Sequence, residues 1–540
     1  MNRKADSAIA VYRRRKETKE NKKSTKSPNA RSPGTPGKVA DKRQRRKRRC
    51  TSTPQQNGKI RKQEQCAVYD SANGSTSSDD SDAAKSIVTG GSELAAERCF
   101  DWLIQPVERD RFFRELWEKK PMLVRRHQRD FYQGLMSCDQ LDRILRERSL
   151  FFTENIDLTT YEGGKRETHN PEGRAHAAVV WDAFQKGCSV RLLNPQTYSR
   201  AVWRLCSVLQ EFFGSFVGAN MYLTPAGSQG FAPHYDDIEA FVVQLEGKKC
   251  WRLYAPMDPS EELPRFSSVN FGPEEVGNPI LEAVLEPGDL LYFPRGIIHQ
   301  AYTPDDTHSL HLTLSTYQRN TWGDLFEKMI PQAVKLAMEE DVEYRKSLPR
   351  GYLNYMGVVN SDVPELAQPS KAREAFLDKV RHLVEKLVNY CPVDAAVDQN
   401  GKAHLHEALP PLLSQEERRR SVHSGERWHR GQVMHVQELD PDAQVRLARR
   451  NAVRMVVEED EVRLYHSFDN SRRYKGRDPQ YIVLSDELAP AVEALVLAYP
   501  GYVKVDDLPL DNPVDRLELA SLLYDKGILI TKEPLEIADD

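Results

Sequence analysis

The chain has 540 residues, 39% of them hydrophobic, and its 77 basic and 80 acidic side chains leave a net charge of −3; that length suits about two to four domains. Its apolar stretches, such as Leu488 to Tyr499 and Leu290 to Phe293, are too short or interrupted to span a bilayer, and the first residues lack the apolar core of a secretory leader, so a membrane or secreted class is excluded and the cytosol or nucleus expected. Eight cysteines, at positions 50, 66, 99, 138, 188, 206, 250 and 391, occur without Cys-x-x-Cys spacing; they read as free thiols, not as a zinc module or disulfide framework.

Charge is spread unevenly. Residues 1 to 62 hold 22 Lys and Arg against 4 Asp and Glu, and a surplus of 18 there, set against −3 overall, leaves −21 on the rest. Rich in Ser, Pro and Gly and poor in large apolar side chains, residues 1 to 91 are expected to form a disordered basic tail. Within it, Lys42 to Arg49 reads as a nuclear or nucleolar import signal that can also hold RNA through its phosphates, in preference to a merely solubilising tail. The run Ser75 to Asp82 makes Ser77, Ser78 and Ser81 candidates for acid-directed phosphorylation beside that basic head.

Folding is expected to start near Gly91, with Ser92 capping a helix through Leu94, Ala95, Cys99 and Leu103, and with Arg109 to Lys119 as a second helix. Pro121 to Val124, Val179 to Trp181, Ser189 to Leu192, Met221 to Leu223, Ala240 to Leu245 and Lys249 to Tyr254 read as strands of a closed or two-sheet antiparallel barrel. Pro195 to Phe213 carries Tyr198, Val202, Leu205, Leu209 and Phe212 at helical spacing and reads as a helix facing the core.

Chemistry concentrates between Pro233 and His299. On a strand, side chains two apart share a face, so His234 and Asp236 are expected to point together into one space while Tyr235 points away. Glu286 to Asp289 reads as a turn, Leu290 to Phe293 as a buried strand, and Pro294 to Gly296 as a second turn that delivers His299 from a neighbouring strand. Two imidazoles and one carboxylate on one face leave positions of an octahedral ion open, the arrangement of iron(II) oxygenases. A lone His-x-Asp is usually a turn or surface pair. The spacing Gly288, five residues, Pro294, one residue, Gly296, two residues, His299 is far more specific and resembles the second motif of the cupin superfamily. His308 and His311 do not follow that turn, and His311, on an alternating strand, reads as a packed residue or one that supports the ligands from behind.

Beyond the barrel, Trp322 to Met338 and Lys371 to Tyr390 show helical spacing, so residues 322 to 425 are expected to be a helical domain. From Gly431 onward, short strands (Val433 to Val436, Val462 to Tyr465, Tyr481 to Leu484) mix with helices near Asp486 to Leu497 and Pro513 to Asp525, then Ile528 to Ile530. The pattern suits a small winged-helix-like α+β domain over 431 to 540. Its 13 basic and 22 acidic side chains argue against duplex DNA and for a protein-contact or packing role.

From about Ser92 to Arg319 the chain resembles the JmjC-type 2-oxoglutarate oxygenases. His234 to Phe241, Gln244 to Gly247 and Trp251 to Tyr254 are similar to the ribosomal oxygenases among them, a likeness that extends to the C-terminus. The resemblance implies a double-stranded β-helix over 92 to 321, iron(II) at His234, Asp236 and His299, 2-oxoglutarate as cosubstrate, and hydroxylation of a histidine on a ribosomal protein. Histone lysine demethylation is also attributed to the family. The far carboxylate of 2-oxoglutarate needs a buried cation, and Lys249 is the candidate, matching the lysine that makes this ion pair in these oxygenases, with Lys248 facing the other way. Asn220 and Ser315 match further positions near the cosubstrate, and Tyr222 and Arg191 match positions that contact substrate. The helical domain corresponds to a dimerisation domain in the resembled family; spacing alone fits a monomeric helical cap equally. Three functions are weighed: a histidyl hydroxylase acting on a ribosomal protein, which the Asp ligand favours; a histone lysine demethylase regulating transcription, which shares every catalytic residue; and an inactive cupin scaffold, which would lack a ligand or the cation.

Overall fold

The computed structural model describes residues 66–70, 80–360 and 370–536, all within one compact unit from Cys66 to Asp540; over 80–91 the backbone alone is described. The basic run Lys42 to Arg49 and the candidate phosphorylation sites Ser77, Ser78 and Ser81 lie outside the residues whose side chains are described.

Among the described residues up to Thr316, twelve strands form two facing sheets. In chain order they are β1 (Ala67–Asp70), β2 (Met122–Arg125), β3 (Ile156–Glu162), β4 (Lys165–Thr168), β5 (Ser189–Leu193), β6 (Gly218–Thr224), β7 (Glu239–Gly247), β8 (Lys249–Tyr254), β9 (Leu281–Leu285), β10 (Leu290–Phe293), β11 (Ile298–Tyr302) and β12 (Ser309–Thr316). The large sheet runs β1-β2-β10-β7-β12-β6-β5-β3-β4 and the small one β11-β8-β9. All neighbours are antiparallel except β1, which pairs parallel with β2.

Alternation places the two cores. On β12, Leu310, Leu312 and Leu314 enter a core on the outer face with Phe241, Tyr292, Met221 and Leu223. The helices Asp80–Ile104, Arg109–Glu115 and Arg200–Phe213 cover that face with Phe100, Phe112 and Phe213, and Phe100 stacks on Phe212 with centroids 4.4 Å apart. Each such leucine contributes roughly 1.5–3 kcal/mol by leaving water. The other face of the large sheet sends Ala240, Val242, Leu291 and Phe293 against Trp251, Leu253, Ala283 and Leu285 of the small sheet. That inner layer is apolar at one end only. Along β12 the inward positions Ser309, His311, Thr313 and Ser315 are polar, and the polar end is where the site forms.

Four expectations need correction. Ala67–Asp70, inside the stretch expected to be disordered, is strand β1; Ala67 is buried and its N–H donates to Pro121 O at 3.0 Å. Ser92 does not cap a helix, because the helix begins at Asp80; its hydroxyl instead donates to Glu211 at 2.8 Å and bonds Tyr499 at 2.8 Å. Val179 to Trp181 is not a strand but part of the helix Ala177–Gln185. Burial there follows the helical repeat through Ala177 and Val180, and Trp181 Nε1 donates to Asp142 at 2.7 Å. The helix read over Arg109 to Lys119 closes at Glu115.

Beyond the barrel come the helices Trp322–Glu340, opened by a Thr321/Asp324 capping box, Lys371–Leu387 and Val393–Glu407. The tail sets Gln444–Leu447 between Val503–Lys504 and Leu529–Thr531, forms a second sheet from Val453–Glu458, Glu461–His466 and Gln480–Leu484, and adds the helices Ala489–Ala498 and Pro513–Asp525. The stretch that leads into it, at Leu409 and Pro410, is tied to the barrel's helices. Gln210 exchanges hydrogen bonds with Leu409 O and N at 2.9 Å each, and Trp203 Nε1 donates to Pro410 O at 3.0 Å. The described cysteines are all free thiols, and no helix of the described residues is long and apolar enough to cross a membrane.

Candidate metal and cosubstrate site

His234 and Asp236 point into one space, yet not from a regular strand. Their segment makes a single bridge to β11, with His299 N–H donating to His234 O at 2.8 Å and His234 N–H to His299 O at 3.2 Å. Its other partners are loops: Tyr235 N–H donates to Ser268 Oγ at 2.9 Å, and Gly296 N–H to Asp236 O at 3.1 Å. Tyr235 faces away and packs with Tyr254 and Ile298, as alternation requires. The next residue, Asp237, braces the segment by accepting from Ser267 Oγ at 2.8 Å and from Gln318 Nε2 at 3.1 and 3.2 Å.

The three side chains converge. His234 Nε2 lies 3.9 Å from Asp236 Oδ1, His299 Nε2 lies 3.8 Å from Asp236 Oδ2, and one ligand atom from each falls within 4.8 Å of the others. Each imidazole uses Nδ1 to donate to a backbone carbonyl two residues back, Ala232 O at 2.8 Å and Ile297 O at 3.1 Å, so Nε2 carries the lone pair that an ion needs. Burial, reinforced by the neighbouring His234, pushes His299 down to about 4, which keeps it neutral near pH 7. The exposed side of the triad is Asp236, 38% exposed against 9% for His299.

The turn that delivers His299 is rigid. Gly296 has φ +88°, and a Cβ there would lie 2.6 Å from Glu261 O, so only glycine fits. Arg295 is buried, pairing with Glu239 at 2.9 Å and Glu118 at 2.7 Å; Tyr292 also donates to Glu239, whose carboxyl burial pushes up to about 7.

Lys249, on β8, is 3% exposed, and Lys248 turns outward to pair with Glu286 at 3.2 Å. The Lys249 ammonium donates to Thr303 Oγ1 at 3.1 Å and ion-pairs with no carboxylate among the described residues, so burial pushes it down to about 7. Two residues along the same face, Trp251 sets its ring 6.2 Å from that of His299 and 5.5 Å from that of His311. Trp251 Nε1 and His311 Nδ1 are buried without hydrogen-bond partners. A chelating ion at the triad and an anionic group reaching Lys249 fit this donor set, and buried polar atoms without partners are what a site shaped for a polar ligand shows.

Asn220 lies on β6 opposite Thr313, and Ser315 lies opposite Gly218 and Ala240 on the same inward face. Tyr222 lies opposite Arg191 across β5 and β6, and its ring stacks 5.0 Å from His311. Arg191 pairs with Asp157 at 2.5 Å, and Arg191 and Arg166 lie over Phe231, whose ring is 6.4 Å from His234. Sequence reading missed Thr303, Phe231, Arg166 and the Asp237 brace. Thr303 alone had a signal, since extending the β8–β11 register one step beyond Tyr302–Cys250 sets it against Lys249.

The fold and this convergence define the class: a JmjC oxygenase that uses iron and 2-oxoglutarate. Comparison with known proteins agrees. The JmjC domain family matches residues 191–325, and the family described as ribosomal oxygenase 1, C-terminal winged helix domain, matches residues 409–535. The chain is 52% identical over 443 residues to a Branchiostoma floridae bifunctional lysine-specific demethylase and histidyl-hydroxylase NO66, covering 82% of this chain and 68% of that protein. It is 51% identical over 446 residues to ribosomal oxygenase 1 of Gallus gallus (82% and 73%) and 50% identical over 448 residues to that of Homo sapiens (83% and 69%). The chain belongs to the ribosomal oxygenase 1/NO66 family.

Proposed function

We propose that this oxygenase hydroxylates a histidine side chain of a ribosomal protein, with His234, Asp236 and His299 holding iron(II) and Lys249 with Thr303 holding the far carboxylate of 2-oxoglutarate. The bound pair supplies oxidation of an unactivated carbon, coupled to decarboxylation of 2-oxoglutarate to succinate. This chain's own residues do the rest. The backbone-anchored imidazoles present Nε2, the Trp251, Phe293 and Leu253 layer excludes water, and Asn220 and Ser315 line the cosubstrate end, with Tyr222 and Arg191 toward the substrate.

The observation that carries the hydroxylase reading is Phe231. Guanidiniums of Arg166 and Arg191 already lie 4.4 and 5.7 Å from its centroid, occupying the aromatic surface that a methylated ammonium would use and opposing its charge. A neutral imidazole meets no such repulsion. Histone lysine demethylation, the other activity in the relatives' names, is the alternative. Full-length protein is incubated with iron(II), 2-oxoglutarate and oxygen against histidine-containing ribosomal-protein peptides and methylated histone-tail peptides. Gain of one oxygen on a histidine supports the proposal; loss of methyl groups alone overturns it in favour of demethylation.

The proposal also covers the cellular setting. Import through the basic run 42–49 places the enzyme in the nucleus and nucleolus, where ribosomal proteins assemble. The helices between 322 and 425 serve as a homodimer contact, Ser77, Ser78 and Ser81 take phosphate, and the acidic tail serves protein contact without binding DNA. Exposed Val380, Val384 and Val388, one helical turn apart, support the dimer contact. Sedimentation of the full chain tests it, a monomer at all concentrations refuting the dimer.

A further inference from the structure

A second cluster of metal-ligating groups lies away from the triad. Cys138 opens the helix Cys138–Glu147, Glu246 stands near the end of β7, and His308 lies in the loop that enters β12. One donor atom from each, Sγ, a carboxylate oxygen and an imidazole nitrogen, falls within 4.8 Å of the other two, and all three residues are half-buried, so water can reach them.

The cluster is held in place by its surroundings. Glu246 Oε1 accepts from the backbone N–H of Cys138 at 2.9 Å, and Oε2 lies 3.2 Å from His308 Nε2. The turn bearing Glu246 and the loop bearing His308 are locked together. Lys248 N–H donates to His308 O at 3.1 Å, and Gly247, at φ +60°, passes so close to that carbonyl that a Cβ would lie 1.7 Å from it. Gln244 Nε2 adds a clamp, donating to Glu246 O at 2.8 Å and to Ser309 Oγ at 3.0 Å.

We propose that Cys138, Glu246 and His308 form a zinc site separate from the oxygenase centre, with water as the fourth ligand of a tetrahedral ion. Thiolate, imidazole and carboxylate are zinc's three ligand types, and the thiolate distinguishes this set from the nitrogen and oxygen triad that suits iron(II). Three ligands from three distant segments leave no Cys-x-x-Cys signature, which is why the sequence reads as lacking a zinc module. Without an ion, burial and the Glu246 carboxylate hold the thiol protonated well above its ordinary range. Zinc takes the place of that proton: the S–H bond breaks, a Zn–S bond forms, and one proton leaves to solvent with no change of oxidation state.

The test uses the full chain, stripped of metal, carrying H234A and D236A so that the triad cannot compete. Titration with cobalt(II) is expected to give one ion per chain and an intense thiolate-to-cobalt charge-transfer band that one equivalent of zinc removes, with about one proton released at pH 7. C138S abolishes the band, and H308N weakens zinc binding by at least the roughly tenfold that loss of a supporting residue causes. A band that survives C138S, or no binding in the parent, overturns the proposal. Should C138S not fold, H308N decides alone, and unchanged zinc affinity there is equally contradictory.

Discussion

Binding of 2-oxoglutarate should draw a proton onto the protein. Burial without a carboxylate partner holds Lys249 at about 7 before the cosubstrate enters. At pH 8, one unit above that value, about one lysine in ten is charged. The entering carboxylate, fully ionised in solution, favours the ammonium and returns the lysine toward its ordinary range. Uptake is therefore expected to be about 0.9 proton per site at pH 8, about 0.5 at pH 7, and close to zero by pH 6. His311, beside Lys249, is held well below its ordinary value by burial and by that lysine, so it stays neutral and does not blur the count. Calorimetric titration with manganese(II) in place of iron prevents turnover, and repeating it in buffers of different ionisation enthalpy gives the proton number as a slope. K249M should flatten the slope. Equal heats in all buffers at pH 8 for the unaltered chain would refute the assignment of Lys249 to the cosubstrate.

K249M should also weaken 2-oxoglutarate by the 1.5–3 kcal/mol of one charged hydrogen bond, roughly a 10- to 150-fold rise in Kd in the same titration. Because the native state holds fewer protons on Lys249 than the unfolded chain between about pH 7 and 10, the cosubstrate-free protein gains stability as pH rises through that window; its Tm should climb there, and less so in K249M. G296A places a Cβ against Glu261 O in a left-handed backbone, costing on the order of 1–3 kcal/mol in denaturant melts, and should lower metal affinity because the same turn carries His299. F241A removes a ring packed among Phe112, Phe213 and Tyr292, at a cost of about 3–5 kcal/mol, and should leave the metal affinity of the folded fraction unchanged.

The convergence of His234, Asp236 and His299 was legible in the sequence because it rests on short-range spacing, His-x-Asp and a glycine-proline turn ahead of His299; Lys249 was singled out by the family resemblance, since a lysine pair just past a turn is as often solvated. Strand alternation then turned Tyr235 and Lys248 away from the site, Tyr235 into a small core with Tyr254 and Ile298 and Lys248 toward Glu286. What escaped depends on contacts distant in sequence. Ser92 reads as a cap until Tyr499, 407 residues away, takes its hydroxyl. Val179 to Trp181 has β-branched neighbours that suggest a strand, but Asp142 and the core side of Val180 select a helix. The regular strand expected under His234 and Asp236 gives way to one bridge because loop residues Ser267 and Ser268 take the remaining hydrogen bonds. Phe231 and its two guanidiniums are joined only by the sheet, through β4 and β5.

The most direct measurement supplies isotopically heavy dioxygen to the iron-loaded full chain with 2-oxoglutarate and a histidine-containing ribosomal-protein peptide, following succinate release and label in the peptide together. The unaltered chain should release succinate and place one heavy oxygen on the histidine, while H234A/D236A and H299A do neither. Succinate release or labelling that persists in those variants would contradict an oxygenase centre at His234, Asp236 and His299.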